Sequence, residues 1–158
     1  MAIEEVSKYS WIFTICSSVL FIVIGWAVVY WNAKKLATRN ETKSLLDKAI
    51  SQLESLTVLA TEYWLGGRKE RLDDDHYQLL VMAQISRLGL TLNILNARGL
   101  GISFDLLAHL TTLTTLDCEK ANTMEKSLCH TRGHELNNVS MELTNHFINA
   151  FQNKYAPN

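Results

Sequence analysis

The sequence predicts an all-α protein: a single N-terminal transmembrane helix followed by a cytoplasmic antiparallel bundle of about four helices. Three observations lead to this prediction. Residues 10–31 form an uncharged, mainly apolar run. Farther along the chain, apolar residues recur at helical spacing in several separate segments. The single proline, Pro157, lies in the tail, where it interrupts no helix.

The uncharged run, "SWIFTICSSVLFIVIGWAVVYW", has the properties of a membrane-spanning helix. At about 1.5 Å per residue it covers the roughly 30 Å hydrocarbon core of a bilayer. Aromatic residues flank it, Tyr9 and Trp11 at one end and Tyr30 and Trp31 at the other, as is usual at membrane interfaces. A cleaved signal peptide is the alternative, but it requires a basic start and a shorter apolar stretch.

Small and hydroxyl-bearing side chains form a stripe on this predicted helix. Thr14, Ser18 and Gly25 are spaced by four and then seven residues, so they share one face. Small residues let membrane helices pack closely, and hydroxyl groups can bond across such a contact. We therefore predict a transmembrane interface between copies of the chain at these residues. The alternative is that the hydroxyl groups bond only to their own backbone.

The charges that flank the run predict its orientation. Lys8 is the only basic residue before it, whereas Lys34, Lys35, Arg39 and Lys43 follow it. The positive-inside rule therefore predicts that the N-terminus lies outside and the C-terminal part lies in the cytoplasm. The expected regions are an extracytoplasmic segment 1–9, a transmembrane helix 10–31, a basic juxtamembrane segment 32–43 and a helical ligand-binding domain 44–158.

The first cytoplasmic helix has recognisable signals at both ends. Thr38-Arg-Asn-Glu41 matches a capping box, which predicts a helix start. Apolar residues then follow at helical spacing as far as Trp64, before Gly66-Gly67 end the helix. Continuity with the transmembrane helix stays open, because nothing in residues 32–43 forces a break.

Three further helices follow from the apolar spacing. The acidic triplet Asp73-Asp74-Asp75 predicts the N-terminus of the first of them, with a metal site as the less favoured interpretation. Ser103 is a candidate cap for the next one, after a turn at residues 96–101. The expected ranges are 75–96, 104–117 and 134–154, with a polar loop at 118–133.

No enzyme signature is visible, and we expect no catalytic residue, metal or cofactor. The sequence lacks a G-x-S-x-G elbow, a phosphate-binding P-loop and a G-x-G-x-x-G motif. Cys118, Cys129, His130 and His134 are residue types that bind zinc, but the paired C-x-x-C arrangement is missing. In His134-Glu-Leu-Asn-Asn138 an asparagine stands where a zinc protease needs its second histidine.

Basic and aromatic residues at the membrane-far end of the predicted bundle form the candidate ligand site. Antiparallel helices bring the turn 66–71 and the loop 118–134 to the same end. A net charge of −1 provides no general basic field, so an anionic ligand needs a local cluster. Basic side chains suit phosphates, and aromatic rings can stack on bases. The alternatives are a solvated surface for the charges and helix-end packing for the rings. The predicted ligand-binding residues are Arg68, Lys69, Arg71, Lys126, Arg132, His134, Tyr63, Trp64 and Tyr77.

In this order of parts, and in the stretch "YWLGGRKERLDDDHYQLL" at residues 63–80, the chain resembles the membrane-bound ancillary effectors of type III CRISPR systems that respond to cyclic tetra-adenylate. The resemblance covers the whole chain in size and layout. It implies an antiviral protein of the bacterial inner membrane that binds the cyclic nucleotide, forms a homo-oligomer such as a tetramer, and acts on the lipid bilayer. The alternative is a membrane-tethered adaptor whose helical domain docks a partner protein.

Overall fold

The structure is a computed structural model that describes residues 2–66 and 71–156, with the side chains of α1 described at residue 11 and from residue 14 onward. The helices are α1 (Ala2–Leu65), α2 (Asp74–Ala97), α3 (Asp105–Thr115) and α4 (Lys126–Tyr155), with a short 3-10 turn at Cys118–Lys120. These described ranges contain no β-strand, so the predicted all-helical class is confirmed.

The chain divides into two compact units, Met1–Glu41 and Thr42–Asn158. The first consists of the N-terminal part of α1, where the large apolar side chains are exposed; Phe21 is 71% and Trp26 is 77% accessible. Helix α1 is long and apolar enough to cross a membrane. Helix α2 passes the same test of length and composition, but its buried residues belong to the core of the second unit. The N-terminal apolar helix is therefore compatible with a membrane anchor.

The small-residue stripe of the first unit shows local bonding. The Ser18 hydroxyl donates to the carbonyl of Thr14 at 2.8 Å, and the Ser17 hydroxyl donates to the same oxygen at 2.9 Å. The space beside Gly25 is open, because nothing lies within 4 Å of the position that a Cβ atom would take. The predicted interface at Thr14, Ser18 and Gly25 stays a prediction.

No helix begins at the predicted capping box, so that prediction is wrong. Helix α1 continues through residues 38–41 without a break. The Thr38 hydroxyl donates to the carbonyl of Lys34 at 3.0 Å, inside the same helix. The physical reason is that residues 32–43 contain neither proline nor glycine, so nothing offsets the tendency of a formed helix to propagate.

The second unit is built around one hydrophobic core to which all four helices contribute. Its largest fully buried side chains include Trp64, Tyr63, Tyr77, Phe147, Leu53, Leu88, Leu110 and Leu136. The turn after α2 uses Gly99 and Gly101, whose φ angles of 79° and 65° are those that glycine adopts without strain. The predicted cap at Ser103 is wrong, because Phe104 is the N-cap of α3 and makes no side-chain cap hydrogen bond. The Ser103 hydroxyl oxygen, one residue earlier, accepts the backbone N–H of Asp105 at 3.2 Å.

Helix α4 begins eight residues earlier than the sequence predicts, at Lys126 rather than at residue 134. Its first buried positions are Cys129 and Gly133, four residues apart. A cysteine and a glycine add little to an apolar pattern, although they continue the same buried face. A Cβ atom on Gly133 would lie 3.0 Å from Leu65 Cδ2, so the missing side chain permits a close approach of α4 to the end of α1.

Candidate anion-binding cleft

Three aromatic residues pack together below the end of α1. The rings of Tyr63 and Tyr77 are stacked, with centroids 3.6 Å apart and planes 6° from parallel. Trp64 meets Tyr63 edge-on at 5.6 Å. All three are buried, with at most 2% of each residue accessible. The hydrophobic surface of these rings therefore joins α1 to α2.

Both tyrosine hydroxyl groups are bonded inside the protein. The Tyr63 hydroxyl lies 2.6 Å from Asp74 Oδ1 and 2.7 Å from the carbonyl of Cys118, and it donates to these acceptors. The Tyr77 hydroxyl donates to the carbonyl of Thr114 at 2.9 Å. Burial, with the hydrogen bond to Asp74 second, raises the pKa of Tyr63 above its usual range. Burial likewise raises the pKa of Tyr77. Both phenols are therefore neutral at physiological pH.

These contacts match the helix-end packing that was the alternative to base stacking. Tyr63 and Tyr77 stack on each other, and a guanidinium group lies over the Trp64 ring. In this arrangement the three rings shape the wall of a site and present no open face to a base. A direct role in ligand stacking stays a prediction.

Arg71 holds the C-terminal end of α1. Its Nη2 donates to the carbonyl groups of Trp64 and Gly66 at 3.3 and 3.2 Å, and its Nη1 donates to Asn122 Oδ1 at 3.3 Å. The guanidinium carbon also lies 5.3 Å from the centroid of the Tyr63 ring. A cation at this position complements the negative end of the helix dipole. Arg71 thereby ties the α1 terminus to the loop between α3 and α4.

Arg132, on α4, has a comparable structural role. Its Nη1 donates to the carbonyl of Leu116 at 2.5 Å, at the end of α3. Its guanidinium carbon lies 4.5 Å from the centroid of the Trp64 ring. A cation over an aromatic face is attracted by the ring quadrupole. The side chain therefore joins α3, α4 and the end of α1.

A cleft of about 480 Å³ opens beside these contacts. The N-terminal turn of α4 forms one side, and the C-terminal end of α1 forms the other. Helix α4 has Glu125 as its N-cap residue, with no side-chain cap hydrogen bond and no acidic residue in its first turn. The N–H groups of that turn add partial positive charge to this side of the cleft. We call this the cationic cleft. Its lining residues are Trp64, Leu65, Gly66, Arg71, Ala121, Met124, Lys126, Cys129 and His130.

The charges in and around the cationic cleft differ in their partners. Arg71 and Lys126 line it, and none of its described lining residues is an aspartate or a glutamate. Lys120 lies outside the lining and forms an ion pair with Asp117 at 2.7 Å. That contact raises the pKa of Lys120 and lowers the pKa of Asp117. The positive charge of Lys120 is therefore balanced locally, whereas no described lining residue carries a carboxylate that would balance the charge at the cleft.

The predicted ligand residues fall into different groups. Arg71, Lys126 and Trp64 meet at the cationic cleft, and Arg132 contacts its Trp64 wall. His134 lies exposed on α4 and does not line the cleft. Arg68 and Lys69 lie outside the described residues.

The sequence prediction missed His130 as part of the cleft. It lies four residues after Lys126, on the same face of the first turns of α4. The spacing becomes informative only when the helix is known to begin at residue 126. With a loop predicted over 118–133, the two side chains had no fixed relation to each other.

Among the residues that the structure describes, no group of three or more histidine, cysteine, aspartate or glutamate side chains could hold a metal ion. Burial raises the pKa of the Cys118 thiol, which disfavours the thiolate.

Comparisons with known proteins found no matching family model, no similar curated protein and no similar solved structure.

Proposed function

We propose that this protein is a membrane-anchored antiviral effector whose helical domain binds a cyclic oligoadenylate, with cyclic tetra-adenylate as the ligand, and then alters membrane integrity. The observation that supports binding is the cationic cleft. Arg71, Lys126 and the N-terminal turn of α4 bring positive charge to one concave site. Phosphate groups are the ligands that such a site suits best.

The size and surroundings of the cleft support a nucleotide rather than a bare ion. A volume of about 480 Å³ lies in the range of pockets for small organic ligands, which is about 300–1,000 Å³, so the cleft would take one part of a tetranucleotide ring and not the whole of it. Met124 and the exposed Leu65 add apolar surface next to the charges. A ligand that combines phosphate with a flat apolar base would use both kinds of surface.

The membrane part of the proposal rests on the apolar helix and its flanking charges. We propose a single-pass helix at residues 10–31 in the bacterial inner membrane, with the antiparallel helical bundle 44–158 in the cytoplasm. The copies would form a homo-oligomer through Thr14, Ser18 and Gly25. A reporter fused after Asn158 should be active in the cytoplasm, and activity confined to the periplasm would contradict the orientation.

Thermal unfolding of the full chain in detergent micelles tests the binding proposal. Cyclic tetra-adenylate should raise the melting temperature, whereas inorganic phosphate and linear tetra-adenylate at equal concentration should raise it less. At a hundred times its Kd, a ligand adds about 2.7 kcal/mol to stability. Absence of any shift with the cyclic ligand would contradict the proposal.

A matched pair of lysine variants locates the binding site. Lys126→Ala should weaken binding by about tenfold, since a charged hydrogen bond contributes about 1.5–3 kcal/mol. Lys154→Ala removes the same charge from the other end of α4 and should leave binding unchanged. Equal affinities for the two variants would show that the ligand binds elsewhere.

A specific observation favours the second candidate function, that of an adaptor. One exposed face of α2 carries Leu79, Met82, Leu90 and Ile94, each at least 47% accessible. They lie at helical spacing, and an exposed apolar stripe on a folded domain is typical of a protein contact. Replacing Leu79 and Leu90 by lysine should leave cyclic tetra-adenylate stabilisation intact in a sensor. In an adaptor, which binds no adenylate, the same replacement should abolish docking of the partner protein.

A further inference from the structure

The hydrogen bonds of the Arg71 guanidinium are weak for a partly buried cation. Its three hydrogen bonds to Trp64, Gly66 and Asn122 are 3.2–3.3 Å long, whereas N–H groups most often bond oxygen at about 2.9–3.0 Å. Its Nε atom is buried and has no hydrogen-bond partner among the described residues. Buried polar groups without partners are uncommon in folded proteins and need an explanation.

The position of Arg71 suggests what that explanation is. The residue lines the cationic cleft, on the side formed by the end of α1. Its acceptors are neutral backbone carbonyls and one side-chain amide. A phosphate group can accept two parallel N–H bonds from a guanidinium, and such charged bonds are about twice as strong as neutral ones. A phosphate in the cleft would therefore compete successfully for this side chain.

We propose that Arg71 is a switch residue that exchanges acceptors when a phosphate group enters the cleft. In the empty cleft it holds the carbonyl groups of Trp64 and Gly66 and so secures the last turn of α1. When a phosphate binds, the guanidinium turns to it and releases those carbonyls. Occupancy of the cleft is thereby coupled to the stability of the α1 terminus. This inference rests on the proposed function, because it requires an anionic ligand in the cleft.

The exchange makes a prediction about backbone amides. The amide of Gly66 donates to the carbonyl of Glu62 at 2.8 Å, in the same last turn. If Arg71 leaves, this turn loses its cap and opens more often, so its amides exchange faster with solvent. We expect about a tenfold increase in exchange rate over residues 63–66, with much smaller changes in the middle of α2.

Hydrogen exchange of the full chain in detergent micelles, read by mass spectrometry, tests the switch. The probes are cyclic tetra-adenylate and inorganic phosphate, and each sample is melted in parallel to establish binding. Faster exchange at residues 63–66 in the bound protein supports the switch. Binding with unchanged or slower exchange there overturns it and leaves the proposed function intact. If neither cyclic tetra-adenylate nor inorganic phosphate binds, both the switch and the proposed function are overturned.

Two variants separate the switch from a general loosening of the domain. Arg71→Met keeps a long side chain but removes every N–H donor to the carbonyls of Trp64 and Gly66. The last turn of α1 should then exchange quickly without ligand and gain little when ligand binds. Lys120→Met removes a cation that lies outside the cleft lining, where it is paired with Asp117. This control should still show the ligand-dependent increase at residues 63–66, and its loss there would contradict the switch.

Discussion

Replacing Tyr63 by phenylalanine should destabilise the second unit more than the same change at Tyr77. The two rings stack on each other and are both buried, so removing either hydroxyl preserves the packing. The Tyr63 hydroxyl serves the Asp74 carboxylate and the Cys118 carbonyl, and a bond to a charged group contributes about 1.5–3 kcal/mol. The Tyr77 hydroxyl serves one neutral carbonyl, which corresponds to about 0.5–1.5 kcal/mol. We therefore expect Tyr63→Phe to cost about 1–2 kcal/mol more than Tyr77→Phe.

Thiol labelling in urea measures this difference within the second unit. Cys118 and Cys129 are free and buried, so they react only when the unit opens, and the urea dependence of their labelling gives the free energy of unfolding. Equal losses for the two variants would refute the reasoning, because they would mean that the Asp74 charge does not strengthen the Tyr63 bond. The double variant Tyr63→Phe with Asp74→Asn should cost less than the sum of the single changes, since the two groups share one interaction.

Three other predictions concern different parts of the chain. Burial of the two neutral phenols raises both tyrosine pKa values above 10.0, so the stability they supply is complete below pH 10 and falls above it. The slope is up to about 1.4 kcal/mol per pH unit for each ring. Among the five tyrosines, the tyrosinate absorbance that is lost in the Tyr63→Phe and Tyr77→Phe variants should appear only on unfolding, and its appearance in the folded protein would contradict the prediction. Gly133→Ala should change stability by less than about 1 kcal/mol, because the higher helix propensity of alanine offsets the tight contact of its Cβ atom with Leu65. The Leu65 side chain is 43% accessible and can move aside. Gly133→Leu should cost about 1–3 kcal/mol in the same urea assay, and a neutral result would mean that the helices separate freely. In the N-terminal apolar segment, Ser18→Leu and Gly25→Leu should reduce crosslinking between copies, and unchanged crosslinking would make the stripe incidental.

The helical class was readable from the sequence because apolar spacing and the scarcity of proline report on helices directly. The start of α4 was not readable in the same way. Its first buried positions, Cys129 and Gly133, contribute close packing rather than apolar character. The capping box at residues 38–41 failed for a related reason. A capping motif indicates a start only where the preceding residues stop a helix, and residues 32–37 do not.

The basic and aromatic residues of the site were identified, but their roles depend on contacts between distant segments. Tyr63 on α1 and Tyr77 on α2 stack their ring faces against each other. Arg71 reaches back to carbonyls at the end of α1 and across to Asn122. The sequence gives no direct signal for either choice of partner. It predicts which residue types gather at one end, whereas tertiary packing decides which of them remain available to a ligand.

The two helix ends at the cationic cleft have opposite polarity, and this gives the Arg71 exchange a direction. The carbonyl end of α1 is negative and the amide end of α4 is positive. In the empty cleft Arg71 offsets the carbonyl end, so the α4 terminus and Lys126 attract an anion. Once the guanidinium turns to a phosphate, the released carbonyls of Trp64 and Gly66 lie near the negatively charged phosphate. The carbonyls and the phosphate repel each other, so the last turn of α1 tends to move away from the occupied cleft. Binding therefore weakens the C-terminal end of α1, which forms one side of the cleft and belongs to the same helix as the apolar N-terminal segment.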